Sequence, residues 1–183
     1  MNPLDIIAEY YDPNSKAFDI LIRHGRQVAQ KALVIAENVS SLKPDQGFIE
    51  NAAMLHDIGI FMTNSTGFGC RGQHPYICHG VLGARLLRDR GLPAYALVCE
   101  RHVGVGISAG DIQRHNLPLP QRDMLPLTIE ERIICYADKF FSKDGHLISR
   151  EKSMEDVLRG IETYGPDKLA QFKAWAVLFD EKS

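Results

Sequence analysis

The chain has 183 residues, 45% of them hydrophobic and 24% charged, enough apolar content to bury a core without metal or disulfide staples. Lysines and arginines number 21 against 23 acids, a net charge of −2, and that balance argues against a dedicated nucleic-acid binder. The four cysteines (Cys70, Cys78, Cys99, Cys135) show no CxxC spacing, no apolar run approaches the ~20 residues of a bilayer span, and the N-terminus lacks the basic-then-apolar order of a signal peptide, so the chain reads as one soluble, cytoplasmic domain.

Helical periodicity dominates the chain. Phe18, Leu21, Ile22, Val28, Ala29, Ala32, Leu33, Ala36 and Val39 recur at three- and four-residue steps and predict a long helix over about 16–40. Lys43-Pro44 ends that segment, and a second helix starts near Asp45, carries Phe48, Ile49, Ala52, Ala53 and Leu55, and stops at Gly59. Residues 63–75, with three glycines, read as a loop. A third helix is expected from about Tyr76 to Arg90, and a fourth from about 93 to His102. Glycines at 104, 106 and 110 and prolines at 118, 120 and 126 make 103–127 irregular. Thr128 with Glu131 resembles a capping box and opens a fifth helix reaching Phe141, and two more helices are expected in 150–163 and 165–180. No segment alternates convincingly as a strand does. The fold class is all-α: a compact helical bundle whose loops 60–75 and 103–127 are free to shape a pocket. The apolar run Phe172–Phe179 reads as a terminal helix docked on its own core, and homo-oligomerisation through it stays open.

The most informative feature is His56–Asp57, an imidazole and a carboxylate on consecutive residues at the end of the apolar run Asn51–Leu55. Burying an unpaired carboxylate is costly, and this pair is well suited to hold a divalent cation. His24, His79, His102 and Asp138 are the other candidate ligands, each on an inward-facing helical position or at a helix end. Singly, His24 also reads as a core histidine, His79 and His102 as helix-end residues, and Asp138 as half of an ion pair. His115 and His146 read as surface residues, and His74 is ambiguous.

The order His24 … His56-Asp57 … Asp138 resembles the signature of the HD-domain metal-dependent phosphohydrolases, and His56-Asp-Ile-Gly59 matches the HDIG variant. His79-Gly-Val-Leu-Gly-Ala-Arg-Leu-Leu87 and Glu100-Arg-His-Val-Gly104 are similar to segments carrying extra ligands in small binuclear members, among them hydrolases that split diadenosine tetraphosphate. The resemblance spans about 18–142 of a single domain over 1–183, with C-terminal helices at 150–180 outside it. It implies an all-α bundle, a first metal on His24, His56, Asp57 and Asp138, and a second held by Asp57, His79 and His102. One or two divalent ions per chain are therefore expected, with Fe, Mn, Mg, Ni and Zn not distinguished. The chain lacks the GYP triad of the cyclic-di-GMP phosphodiesterases of this superfamily and the added domains of stringent-response hydrolases.

The expected activity is hydrolysis of a small, nucleotide-like phosphoester or phosphoanhydride by metal-activated water, with Asp57, His79 and His102 at the reacting centre. Arg71 and His74 in the glycine-rich loop, and Lys139 beside Asp138, are the candidate substrate contacts, while Arg23, Arg26 and Arg101 read as structural or solvated charges. No membrane or nucleic-acid partner is expected. Two other readings stay open: a di-iron oxygenase built on the same ligands, and a non-catalytic ligand sensor.

Overall fold

The computed structural model of the chain describes residues 1–143 and 150–179, so the expectation for His146 lies outside the described residues. Helix α1, Pro3–Ala8, opens with Asn2 accepting from Leu4 N–H and proline in the first turn, and it is an element that periodicity missed. Helix α2, Lys16–Asn38, is the long helix expected, and Ser15 caps it through Phe18 N–H. Helix α3, Gln46–Leu55, is capped by Asp45 and stops one residue short of His56, four residues before the expected Gly59. The chain tightens there into a 3₁₀ turn over Ile58–Met62. Its Gly59 ends no α-helix; a Cβ at that position would collide with the backbone of His79 and Gly83, so its role is close packing of this turn against the start of α4.

The expected loop 63–75 holds a short hairpin, β1 Asn64–Ser65 paired antiparallel with β2 Cys70–Arg71, which corrects the reading that no strand is present. A 3₁₀ turn over Tyr76–Cys78 leads into α4, His79–Asp89, and Pro93 at the first turn opens α5, Pro93–Arg101. Helix α6, Ala109–Arg114, lies inside the segment read as irregular and starts at a full Ser108/Asp111 capping box. Helix α7 runs Ile129–Asp138. Thr128 caps it, but Glu131 reaches Leu127 N–H at 2.7 Å rather than closing the box on Thr128. Helices α8, Met154–Glu162, and α9, Pro166–Phe179, complete the described chain.

Among the described residues, two apolar clusters form the core. One joins the C-terminal half of α2 to α3, α7 and the Phe172–Trp175–Phe179 face of α9, where the Tyr136 and Phe172 rings stack at 4.7 Å. The other joins α1, the N-terminal half of α2, the end of α3, α4 and α5. On α2 the switch from one cluster to the other falls between Ile22 and Val28, and His24 stands in that interval. All four cysteines are free and buried, and no helix among the described residues is long and apolar enough to cross a membrane.

Candidate metal centre

Five elements each bring one or two polar side chains to the seam between the apolar clusters. His24 comes from the middle of α2, His56 and Asp57 from the end of α3, His79 from the first residue of α4, His102 from just past α5, and Asp138 from the last turn of α7. All six are buried, at 1–6% exposure. Residues scattered over more than a hundred positions are thus placed within one small volume, and the six expected ligands are the six that converge.

The distances divide the cluster around Asp57. Its Oδ2 lies 3.2 Å from His56 Nε2 and 3.5 Å from His24 Nε2, while its Oδ1 lies 3.2 Å from His79 Nε2 and 3.3 Å from His102 Nε2. Asp138 Oδ1 joins the first side, 2.9 Å from His24 Nε2 and 3.5 Å from His56 Nε2. His79 and His102 face each other Nε2 to Nε2 at 3.1 Å.

Outer partners orient three of these rings. The Nδ1–H groups of His56, His79 and His102 donate to the carbonyls of Ala53, Tyr76 and Cys99, three residues back, at 2.6, 2.7 and 2.8 Å. A carbonyl only accepts, so each Nδ1 holds a proton and Nε2 is the nitrogen turned inward, bare wherever the ring is neutral. At Asp57 Oδ1, lone pairs of nitrogen and carboxylate oxygen then confront one another at little more than 3 Å. Neither Asp57 oxygen has a hydrogen bond of normal geometry among the described residues, although Lys143 pairs with Oδ2 at 2.7 Å, so Oδ1 is the oxygen left without a cationic partner. Such a crowd of acceptors calls for a cation, and the mixed imidazole–carboxylate donor set fits a divalent one.

Without a cation, protonated side chains take up the charge of the two acids. Burial pulls His24 down to about 4 and His102 to about 3, so neither carries charge near neutrality. Burial also opposes charge on His56, but the Asp57 and Asp138 carboxylates overcome it and raise that imidazole to about 9. Against their own burial, Asp57 is held well below the usual carboxylate range by His56 and Lys143, and Asp138 by Lys139 and Lys143. A charged His56 and the ammonium groups of Lys139 and Lys143 set three positive charges against the two buried acids.

A cavity of about 870 Å³ reaches this centre at Asp138. Lys16, Arg23, Lys139, Lys143 and Lys152 line it with the rings of Phe68, Tyr76 and Phe141, against the acids Asp19 and Asp138. Tyr76 stacks on His79 at 4.6 Å and Phe68 on Tyr76 at 6.0 Å, so an aromatic column runs from the ligand set to the wall. Among the expected substrate contacts, Lys139 lines this cavity, although its ammonium is engaged by Asp138 Oδ2 at 2.6 Å and His102 O at 3.1 Å. Arg71 and His74 do not line it: both lie exposed on or beside the hairpin, and Gly72 between them packs closely on the Met62 backbone. Arg101 pairs with Glu131 at 2.9 Å, a structural charge as expected.

Lys143 is the residue that sequence reasoning missed. Its Nζ lies 2.7 Å from Asp57 Oδ2, 3.4 Å from Tyr76 O–H and 3.8 Å from Asp138 Oδ1. It lies beyond the end of α7, where no periodic signal directs it inward. The single hint was a second lysine five residues after Asp138.

The HD domain family matches residues 21–142 of the chain. A tRNA (cytidine(56)-2'-O)-methyltransferase of Thermoplasma volcanium is 32% identical over 166 residues, 86% of this chain and 43% of that protein. A protein of the same name from Picrophilus torridus is 33% identical over 132 residues, 72% of this chain and 34% of the relative. An uncharacterized protein of Methanocaldococcus jannaschii is 30% identical over 145 residues, 78% of this chain and 75% of that one. The chain spans less than half the length of the two methyltransferases it matches. No solved structure matches it.

Proposed function

The chain belongs to the HD-domain family, within a superfamily of metal-dependent hydrolases, and from that premise we propose that it is a phosphohydrolase acting on a small anionic, nucleotide-like substrate. The observation that carries this reading is the division of Asp57, one oxygen facing the His24–His56 pair and the other the His79–His102 pair. A carboxylate so placed would serve two cations, one held with His24, His56 and Asp138 and the other with His79 and His102. Four imidazoles favour Mn, Fe, Ni or Zn over magnesium, which prefers oxygen ligands and retains water.

A divalent cation, when bound, makes water acidic enough to act near neutral pH and offsets charge on phosphoryl oxygens. The chain's own residues do the rest. Ala53, Tyr76 and Cys99 carbonyls fix three imidazoles with Nε2 inward. Lys139 holds Asp138 Oδ2, leaving Oδ1 to face the histidines. Lys143 stands between the centre and the cavity, where its ammonium meets a phosphoryl oxygen of the substrate. Lys16 and Lys152 attract the anion, Arg23 being paired with Asp19, and the face of Phe68 suits a planar base.

Methyl transfer is not proposed: that name belongs to longer proteins, and the side chains gathered here suit cation coordination. A nucleotide-derived substrate is consistent with those relatives acting on tRNA. The cationic wall also favours a phosphorylated substrate over the neutral organic substrate of an oxygenase. The test is metal analysis of chain purified without chelator, together with phosphate release from a panel of nucleotides and phosphoesters. Bound metal and metal-dependent release, abolished in Asp57→Ala, are expected. A chain without metal or phosphate release, or full activity in Asp57→Ala, would sink the assignment.

A further inference from the structure

His24 is the exception among the four imidazoles. His56, His79 and His102 all sit at helix ends, and the carbonyls of Ala53, Tyr76 and Cys99 that take their Nδ1 protons belong to those ends, where hydrogen-bond partners within the helix run out. His24 instead lies well inside α2, Lys16–Asn38, where carbonyls are engaged along the helix. Its Nδ1 is buried and has no hydrogen-bond partner among the described residues. One turn further on, Gln27 Oε1 is likewise buried without a partner. Residues three apart share a helix face, and helical side chains lean toward the N-terminus, so Gln27 lies over the turn that carries His24.

We propose that Gln27 is a positioning residue of the metal centre, its Oε1 accepting the Nδ1–H of His24, directly or through one water, when a cation occupies Nε2. The inference rests on the metal-hydrolase reading above. Without a cation, His24 Nε2 stands 2.9 Å from Asp138 Oδ1, a distance at which the ring proton resides on Nε2. An imidazole that ligates through Nε2 holds its proton on Nδ1. Only then does a buried N–H need an acceptor, and Gln27 is the side chain placed to supply it. Outer partners of ligating histidines commonly change metal affinity about 10–100-fold.

The test uses the full chain with histidine labelled in nitrogen-15 and loaded with zinc alone, read by NMR for ring tautomer and N–H exchange, with zinc affinity measured in parallel. In the wild type, His24 should carry a slowly exchanging Nδ1–H. Gln27→Leu should speed that exchange and weaken zinc binding about tenfold, while Gln27→Glu, which keeps an acceptor, should restore both and the ring signals of His79 and His102 should stay put. Zinc uptake with no proton on His24 Nδ1, or wild-type exchange and affinity in Gln27→Leu, overturns the inference and leaves the hydrolase reading standing. A wild type that takes up no zinc overturns both. Should Gln27→Leu fail to fold, the wild-type tautomer and Gln27→Glu decide the matter.

Discussion

Lys143 Nζ lies 2.7 Å from Oδ2 of Asp57, the carboxylate around which the whole cluster is divided. An ammonium in that place does two things with opposite signs. It competes with a cation for Asp57, and it offers a charge-assisted donor to an anion entering from the cavity. Lys143→Met should therefore tighten metal binding while lowering kcat/KM for the phosphorylated substrate about 100-fold, the scale of losing one donor to developing charge. Calorimetric metal titration and phosphate-release kinetics read the two effects separately. If affinity and activity fall together, Lys143 supports the carboxylate and does not meet the substrate.

Metal uptake should depend on pH through His56. With its pKa raised to about 9, this imidazole carries a proton at neutral pH that a cation must displace. Affinity should rise about tenfold per pH unit toward pH 9 and then level off. A flat affinity between pH 6.5 and 9 would show that no such proton is displaced.

The same group shapes the stability of metal-free protein. A folded pKa of about 9 above the unfolded 6.5 means that stability from His56 is fully present below about 6.5 and is lost as pH rises through 9. His24 and His102 act in the opposite direction, since they are depressed to about 4 and 3, so acid protonates them in the unfolded chain first and weakens the fold below about 6.5. The melting temperature of chelated protein should pass through a maximum near pH 6.5. Metal-loaded protein should lack the alkaline decline, and a monotonic rise to pH 9 in the chelated protein would contradict it.

How much of the molecule was legible in the sequence depends on the kind of signal each residue left. The α2 stripe Leu21–Val28–Ala32–Ala36 is long enough to set a period, and His24 on that stripe had to face inward. His56–Asp57 stood out because two polar residues end an apolar run. The six-residue α1 and α6 are too short for a stripe; their signals were caps, Asn2-Pro3 and Ser108 with Asp111. Lys143 and Gln27 were invisible for a different reason: a polar residue after a helix or between stripe positions looks solvated until the tertiary contact is known. Arg71 and His74 stand outside the cavity at Asp138, and glycines that permit close approach to a phosphate equally permit close approach to backbone, as Gly72 approaches Met62.

Gly59 makes a sharp stability prediction. A Cβ there would run into His79 O and Gly83 N, and would lie 2.9 Å from Gly83 Cα, all backbone atoms that no rotamer change can move. Gly59→Ala should destabilise the chain by about 2–3 kcal/mol, the upper range for overpacking a tight contact. Because the displaced backbone begins α4, His79 should shift as well. Thermal unfolding and metal content together check this, and an unchanged melting temperature would mean that the 3₁₀ turn yields freely.

The number of ions per chain separates two versions of the centre. If Asp57 serves two cations through separate oxygens, the His79–His102 pair belongs to one position and the His24–His56–Asp138 set to the other. His79→Ala or His102→Ala should then reduce bound metal from two to one per chain, whereas Asp57→Ala, which removes both oxygens, should weaken both. His79 Nε2 and His102 Nε2 stand only 3.1 Å apart, close enough to bind one ion as a pair, so either substitution alone should produce most of the loss. Elemental analysis of dialysed protein gives the count. One ion per chain in the wild type, unchanged in both histidine variants, would leave a mononuclear centre on His24, His56 and Asp138 and would recast His79 and His102 as partners of Asp57 alone.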